Sequence, residues 1–108
     1  GVGVYRIFDY TGDLTANTMT IGRTANGNLL DYTLQTSIDH QVNLVSTAGS
    51  DFFFWNGQTT AANGTINGGS GTWDSSTTNW TVVNGQLGMS WRDDTFAVFG
   101  GAAGDVKI

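Results

Sequence analysis

Phe52-Phe53-Phe54-Trp55-Asn56-Gly57 is the stretch on which the fold turns. Four large apolar residues in succession leave no polar face, so a strand here is buried on both sides. Asn-Gly then ends it, because both residues tolerate positive φ. Asn-Gly recurs at positions 26, 63, 67 and 84. In an antiparallel sheet the pair marks hairpins; in a coiled solenoid it marks corners.

Upstream of this run the pattern is strand alternation. Tyr5 to Tyr10 is dense in apolar residues and closes at Thr11-Gly12-Asp13. Met19 and Ile21 alternate with Thr18 and Thr20 before the turn-rich Gly22 to Asn28. Leu30, Tyr32 and Leu34, extended by Thr36 and Ile38, share one face; Asp31, Thr33, Gln35 and Ser37 share the other. Val42, Leu44 and Val45 form a short strand. Downstream, Phe96 and Val98 point one way, and Ala97 and Phe99 the other. Val106 and Ile108 alternate with Asp105 and Lys107. An alternating strand at this end, with no initiator Met at the other, predicts a segment of a longer polypeptide.

Composition fixes the class. The 108 residues include 16 Gly, no Pro and no Cys, and the net charge is −5. Every acid is Asp, Lys occurs once and Glu not at all, whereas Thr, Asn and Gly abound. Surface helices are built from the missing residues, strands and turns from the abundant ones, so the chain reads as all-β. Short strands between frequent turns fit a solenoid, an antiparallel β-sandwich or a barrel. Four cations cannot form a phosphate-facing stripe, so no nucleic-acid partner is expected. Without Cys there is no disulfide framework and no thiolate metal site. No apolar run approaches the ~20 residues of a membrane-spanning helix.

Two stretches carry a family resemblance. The first is Gly68-Gly69-Ser70-Gly71-Thr72-Trp73-Asp74, followed by Asn79-Trp80, Trp91, Phe96-Ala97-Val98-Phe99-Gly100-Gly101 and Gly104-Asp105-Val106. It resembles the autotransporter-associated β-strand repeat of bacterial autotransporter passenger domains. The second, Tyr5-Arg6-Ile7-Phe8-Asp9-Tyr10 with Gly12, Leu14 and Gln41-Val42-Asn43-Leu44, is similar to the segment that precedes such repeats. Phe54-Trp55-Asn56-Gly57 resembles the join. The resemblance implies a right-handed parallel β-helix in a single segment, residues 1–108, with upstream coils over 1–50 and the repeat over 51–108. Roughly three to five coils of 20–45 residues fit this length. Leu30, Tyr32, Leu34, Val42, Leu44, Phe52, Phe54, Ile66, Phe96, Val98 and Val106 are the expected interior. Only one copy of the Gly-Gly-x-Gly-Thr-Trp pattern is present.

The resemblance further implies a stalk at the surface of a Gram-negative cell, helping secretion or folding of its own passenger. Its partners are then the β-barrel translocator of the same polypeptide, and a host ligand or further copies of itself. Outward-facing Thr33 and Gln35 are expected in any such contact.

Catalytic chemistry finds little support. Asp74, Asp93 and Asp94 are the acids to weigh for polysaccharide cleavage, which needs converging carboxylates. Asp93 and Asp94 are adjacent, so in a strand they diverge. Asp39-His40 lacks a fitting nucleophile, and Gly69-Ser70-Gly71 lacks the spacing of a nucleophile elbow. His40 is expected at a surface corner. Gly68 to Asp74 approaches the calcium nonapeptide G-G-x-G-x-D, but Asp74 falls one residue late, and one copy cannot supply the six to eight oxygens calcium takes. No catalytic residue, metal or cofactor is expected. Trp73, Trp80 and Trp91 are read as packing within the repeat rather than as sugar-stacking platforms. Asn63-Gly64-Thr65 and Asn79-Trp80-Thr81 match the glycosylation pattern by composition alone.

Overall fold

The computed structural model describes residues 3–12, 32–47 and 51–108. The strand expected around Met19 and Ile21, the turn from Gly22 to Asn28, and Leu30 lie outside them. Among the described residues every regular element is a strand. The chain is all-β.

The first sheet is antiparallel and contains β1 (Gly3–Asp9), β2 (Tyr32–Gln35) and β3 (Gln41–Ser46), with β3 central. β2 and β3 form a hairpin in which Leu34 opposes Leu44 and Gln35 opposes Asn43. The turn places exposed His40 at φ 65°. β1 pairs with the other edge of β3 and slips register between Arg6 and Phe8. Antiparallel pairing, rather than coils, organises the described part of residues 1–50.

Residues 51–108 pair differently. β4 (Phe52–Trp55) is the centre of a mixed sheet, with β6 (Trp80–Thr81) antiparallel on one edge and β7 (Phe96–Val98) parallel on the other. β5 (Gly71–Thr72) and β8 (Val106–Lys107) form a second parallel pair. A parallel bridge from Gly68 to Ala102 extends that pair backward. The chain thus makes one pass through β4 and β5, and a second pass through β7 and β8 laid parallel upon the first.

β4 is buried along its whole length, as its sequence requires. Phe52 and Phe54 enter a core with Ile38, Val45 and Ile66. Phe53 and Trp55 enter a second core with Trp80, against which Trp73, Trp91, Ala97 and Val106 pack. The first core joins the antiparallel sheet to β4; the second lies between β4 and the β5–β8 pair.

Two expectations about faces are corrected. Gln35 is only 2% exposed, not outward-facing. Its amide donates to the carbonyl of Val83 at 3.0 Å and accepts from Asn43 at 3.0 Å, so burial leaves neither bonding group idle. Gln35, Asn43 and Val45 are buried on one face, where Thr33 is exposed; on the other, Val42 and Ser46 are buried and Tyr32, Leu34 and Leu44 are half-buried. Phe96 is 52% exposed rather than interior, because it stands on an edge strand, its ring edge-on to Phe52.

The turn prediction holds at Asn56-Gly57. Gly57 has φ +60°, and a Cβ there would stand 2.1 Å from the carbonyl oxygen of Gly68. Only glycine permits both the backbone conformation and the approach of the β5 segment to the end of β4.

Candidate functional site

Trp80 has no exposed surface and stands at the centre of the aromatic cluster. Its ring centroid lies 5.1 Å from Trp55, 5.1 Å from Trp73, 4.8 Å from Trp91 and 5.7 Å from Phe99. Most of these contacts are edge-on, the arrangement that ring quadrupoles favour. The Trp55 indole donates to the carbonyl of Gly69 at 2.7 Å, tying β4 to the segment that leads into β5. Trp55 and Trp80 are enclosed, which leaves no ring face for a sugar; Trp73 and Trp91 are half-buried.

Asparagine side chains hold the corners. Asn56 Oδ1 accepts from the backbone N–H of Asn67 at 2.7 Å and from its side-chain amide at 2.9 Å. Asn79 Nδ2 donates to the carbonyls of Gly57 at 3.0 Å and Thr72 at 2.9 Å. Asn79 is 1% exposed, with its amide nitrogen occupied by these bonds, so its glycosylation pattern is not accessible in the fold.

The acids do not converge. Asp74 is exposed and spends its carboxylate on its own turn, accepting from the backbone N–H groups of Thr77 at 2.6 Å and Ser76 at 2.9 Å. These bonds, the one from Thr77 foremost, hold its carboxyl below the ordinary value of 3.8. Asp93 accepts from the Trp91 indole at 3.1 Å. Asp94 turns the chain at φ 67°. Asp51 pairs with Arg92 at 2.6 Å, and the guanidinium lies over the Phe53 ring. His40 packs edge-on against Tyr10. Among the described residues no three metal-ligating side chains meet.

Two depressions flank the second pass, the first of mixed polarity and the second mainly apolar. A cleft of about 670 Å³ separates β1 and β3 from β7; Val4, Arg6, Asn43, Phe52, Phe96 and Phe99 line it. A depression of about 410 Å³ lies along the segment that joins β7 to β8, with Trp55, Phe99, Ala102, Ala103 and Val106 in its walls. Sequence periodicity marks neither, since both depend on which strands become edges.

No protein-family model and no solved structure matches the chain. One curated relative does: the adhesin BmaC autotransporter of Brucella suis biovar 1 (strain 1330), 41% identical over 115 aligned residues that take in 98% of this chain. The chain spans 3% of that relative's length. Over nearly all its residues, this chain is similar to one short segment of an autotransporter-type adhesin.

Proposed function

We propose that the chain is a structural and adhesive segment of a secreted autotransporter passenger. In this reading the chain is one segment of a passenger stalk, with residues 51–108 as its autotransporter-associated repeat and the antiparallel sheet of β1, β2 and β3 packed before it. The segment does no catalysis. It stands at the surface of a Gram-negative cell, anchored through the β-barrel translocator of its own polypeptide, and assists passage or folding of the passenger. Contact with host matrix, glycans or neighbouring cells is made from its polar exterior.

The observation that carries this reading is the identity, across almost the whole chain, to a protein named an adhesin. The parallel pairs Phe52–Phe96 and Gly71–Val106 support the coil arrangement, because they lay the second pass directly on the first. Such units fold one upon the next as they emerge, and a chain without Cys forms no disulfide before export.

The test deletes residues 51–108 from the passenger in the bacterium. Surface display is read by protease accessibility, and attachment is counted on matrix-coated surfaces. The reading expects display or attachment to fall. Unchanged display together with unchanged attachment overturns it.

A further inference from the structure

The cleft between the antiparallel sheet and β7 has a polar floor that the fold does not use up. Arg6 stands opposite Asn43 in the β1–β3 ladder, and Gln35 opposite Asn43 in the β2–β3 ladder. Cross-strand partners share a face, so Arg6, Asn43 and Gln35 form one row across the sheet. Gln41 lies on the same face of β3 as Asn43. Asn43 is only 2% exposed. Its amide nitrogen donates to Gln35 at 3.0 Å and to Gln41 at 3.3 Å. Its Oδ1 is buried with no hydrogen-bond partner among the described residues. An idle buried acceptor costs stability, and a group from outside the chain is its natural donor.

The walls supply a cation and a ring. Arg6 is the one charged side chain among the described residues that line the cleft. Its ion pair with Asp9 is loose, at 3.5 Å between side chains more than half exposed, so the guanidinium is open to a second acceptor. Arg92, by contrast, is held by Asp51 and stacked on Phe53. On the facing wall, Phe96 shares a strand face with Val98, which packs on the first core. The Phe96 ring meets Phe52 edge-on and is half-exposed where it lines the cleft.

We propose that this cleft binds a saccharide carrying a carboxylate, a uronic or sialic acid unit. The carboxylate sits on the Arg6 guanidinium, whose planar fork matches it. The C–H face of the sugar ring covers Phe96. A ring hydroxyl donates to Asn43 Oδ1, directly or through a water, and the Gln41 amide nitrogen donates to a sugar oxygen. An apolar ligand would leave Arg6 and Asn43 unmatched, and a bare anion would leave Phe96 uncovered. The volume of about 670 Å³ falls within the roughly 300–1,000 Å³ of small-ligand sites. The inference rests on the adhesive reading above and deepens it by naming a site and a ligand class.

Titration of the 108-residue chain with oligogalacturonate, its methyl ester and sialyllactose tests this, read by the amide shifts of Gln41, Asn43 and Phe96. The account expects saturable shifts at these residues with at least one of the two acids, and the tighter of the two identifies the sugar. Affinity for the methyl ester is expected to be lower by about tenfold or more, the loss of one charged hydrogen-bonded contact. Arg6→Gln is expected to lose affinity for the acid by the same factor, and Phe96→Leu severalfold, with the remaining amide spectrum unchanged because both side chains are exposed. Lys107→Gln, which removes the same charge from β8, is expected to bind as the parent chain does.

No shift with either acid overturns the proposal. Equal affinity for acid and ester overturns it, as does an equal loss in Arg6→Gln and Lys107→Gln, which would mark unspecific attraction. Inorganic phosphate binding as tightly as the sugars overturns it in favour of a simple anion site. Nuclear Overhauser contacts that seat a second copy, or another part of the chain, on the Phe96 ring give the cleft to that occupant instead. Bacterial attachment enters none of these readouts. A chain that binds an acid sugar, in a passenger whose display and attachment survive deletion of residues 51–108, sinks the adhesive reading alone. A chain that binds neither acid, in a passenger that needs those residues to attach, sinks this inference alone.

Discussion

Phe52 and Phe96 stand opposite each other in a parallel ladder, their rings edge-on with centroids 5.3 Å apart, although the chain makes a full circuit between them. Parallel partners need a long crossover. Here the crossover is the coil itself, carrying β5, the tryptophans and β6.

Trp80→Ala is expected to be the most damaging substitution in the cluster. It empties the centre of four aromatic contacts and costs ~3–5 kcal/mol, a large part of the stability of a domain this size. Trp73→Ala, at a half-buried ring, is expected to cost less. Urea titrations of the two variants check the order; equal midpoints with the parent chain for Trp80→Ala contradict the packing role.

Gly57→Ala and Gly69→Ala separate backbone strain from collision. Both glycines have positive φ, at +60° and +87°. A Cβ at Gly69 meets nothing within 4 Å, whereas at Gly57 it runs into the Gly68 carbonyl. Gly69→Ala is expected to cost about 1 kcal/mol, and Gly57→Ala distinctly more. Thermal midpoints measured side by side decide it.

Asn79→Ala removes both donors to the carbonyls of Gly57 and Thr72. Buried acceptors left without partners cost about 1–3 kcal/mol in total stability. Asn79→Asp is expected to behave no better, since an ionised carboxylate cannot donate. A fully stable Asn79→Asp variant would show that these two bonds contribute nothing.

Asp74 gives a pH dependence with a defined sign. Its folded pKa lies below 3.8, so its contribution is present above that value and is lost as pH falls through the folded pKa. The stability gap between the parent chain and Asp74→Ala is therefore expected to be full at neutral pH and to narrow in acid. A gap that widens below 3.8 contradicts the turn described for Ser76 and Thr77.

The sequence made some of this plain. Four apolar residues at Phe52 to Trp55 can only be a strand covered on both faces, and the Asn-Gly pair that follows can only turn. It hid the burial of Gln35 and Asn43, because the polar pair they form across the hairpin is covered by Val83, 48 residues further along the chain from Gln35. It also hid β6. Trp80-Thr81 is two residues long, too short for any period, and its antiparallel pairing is set by the coil that returns it to β4. Exposure of Phe96 follows from β7 being an edge, which no alternation pattern encodes.

The most direct test of the account is a set of interstrand nuclear Overhauser contacts in the isotopically labelled 108-residue chain. Parallel passes predict contacts between Phe53 and Ala97, and between Thr72 and Lys107, with neighbouring pairs advancing in the same direction along both strands. Contacts that run in opposite directions, or none between these strands, would contradict the stacking of the second pass on the first.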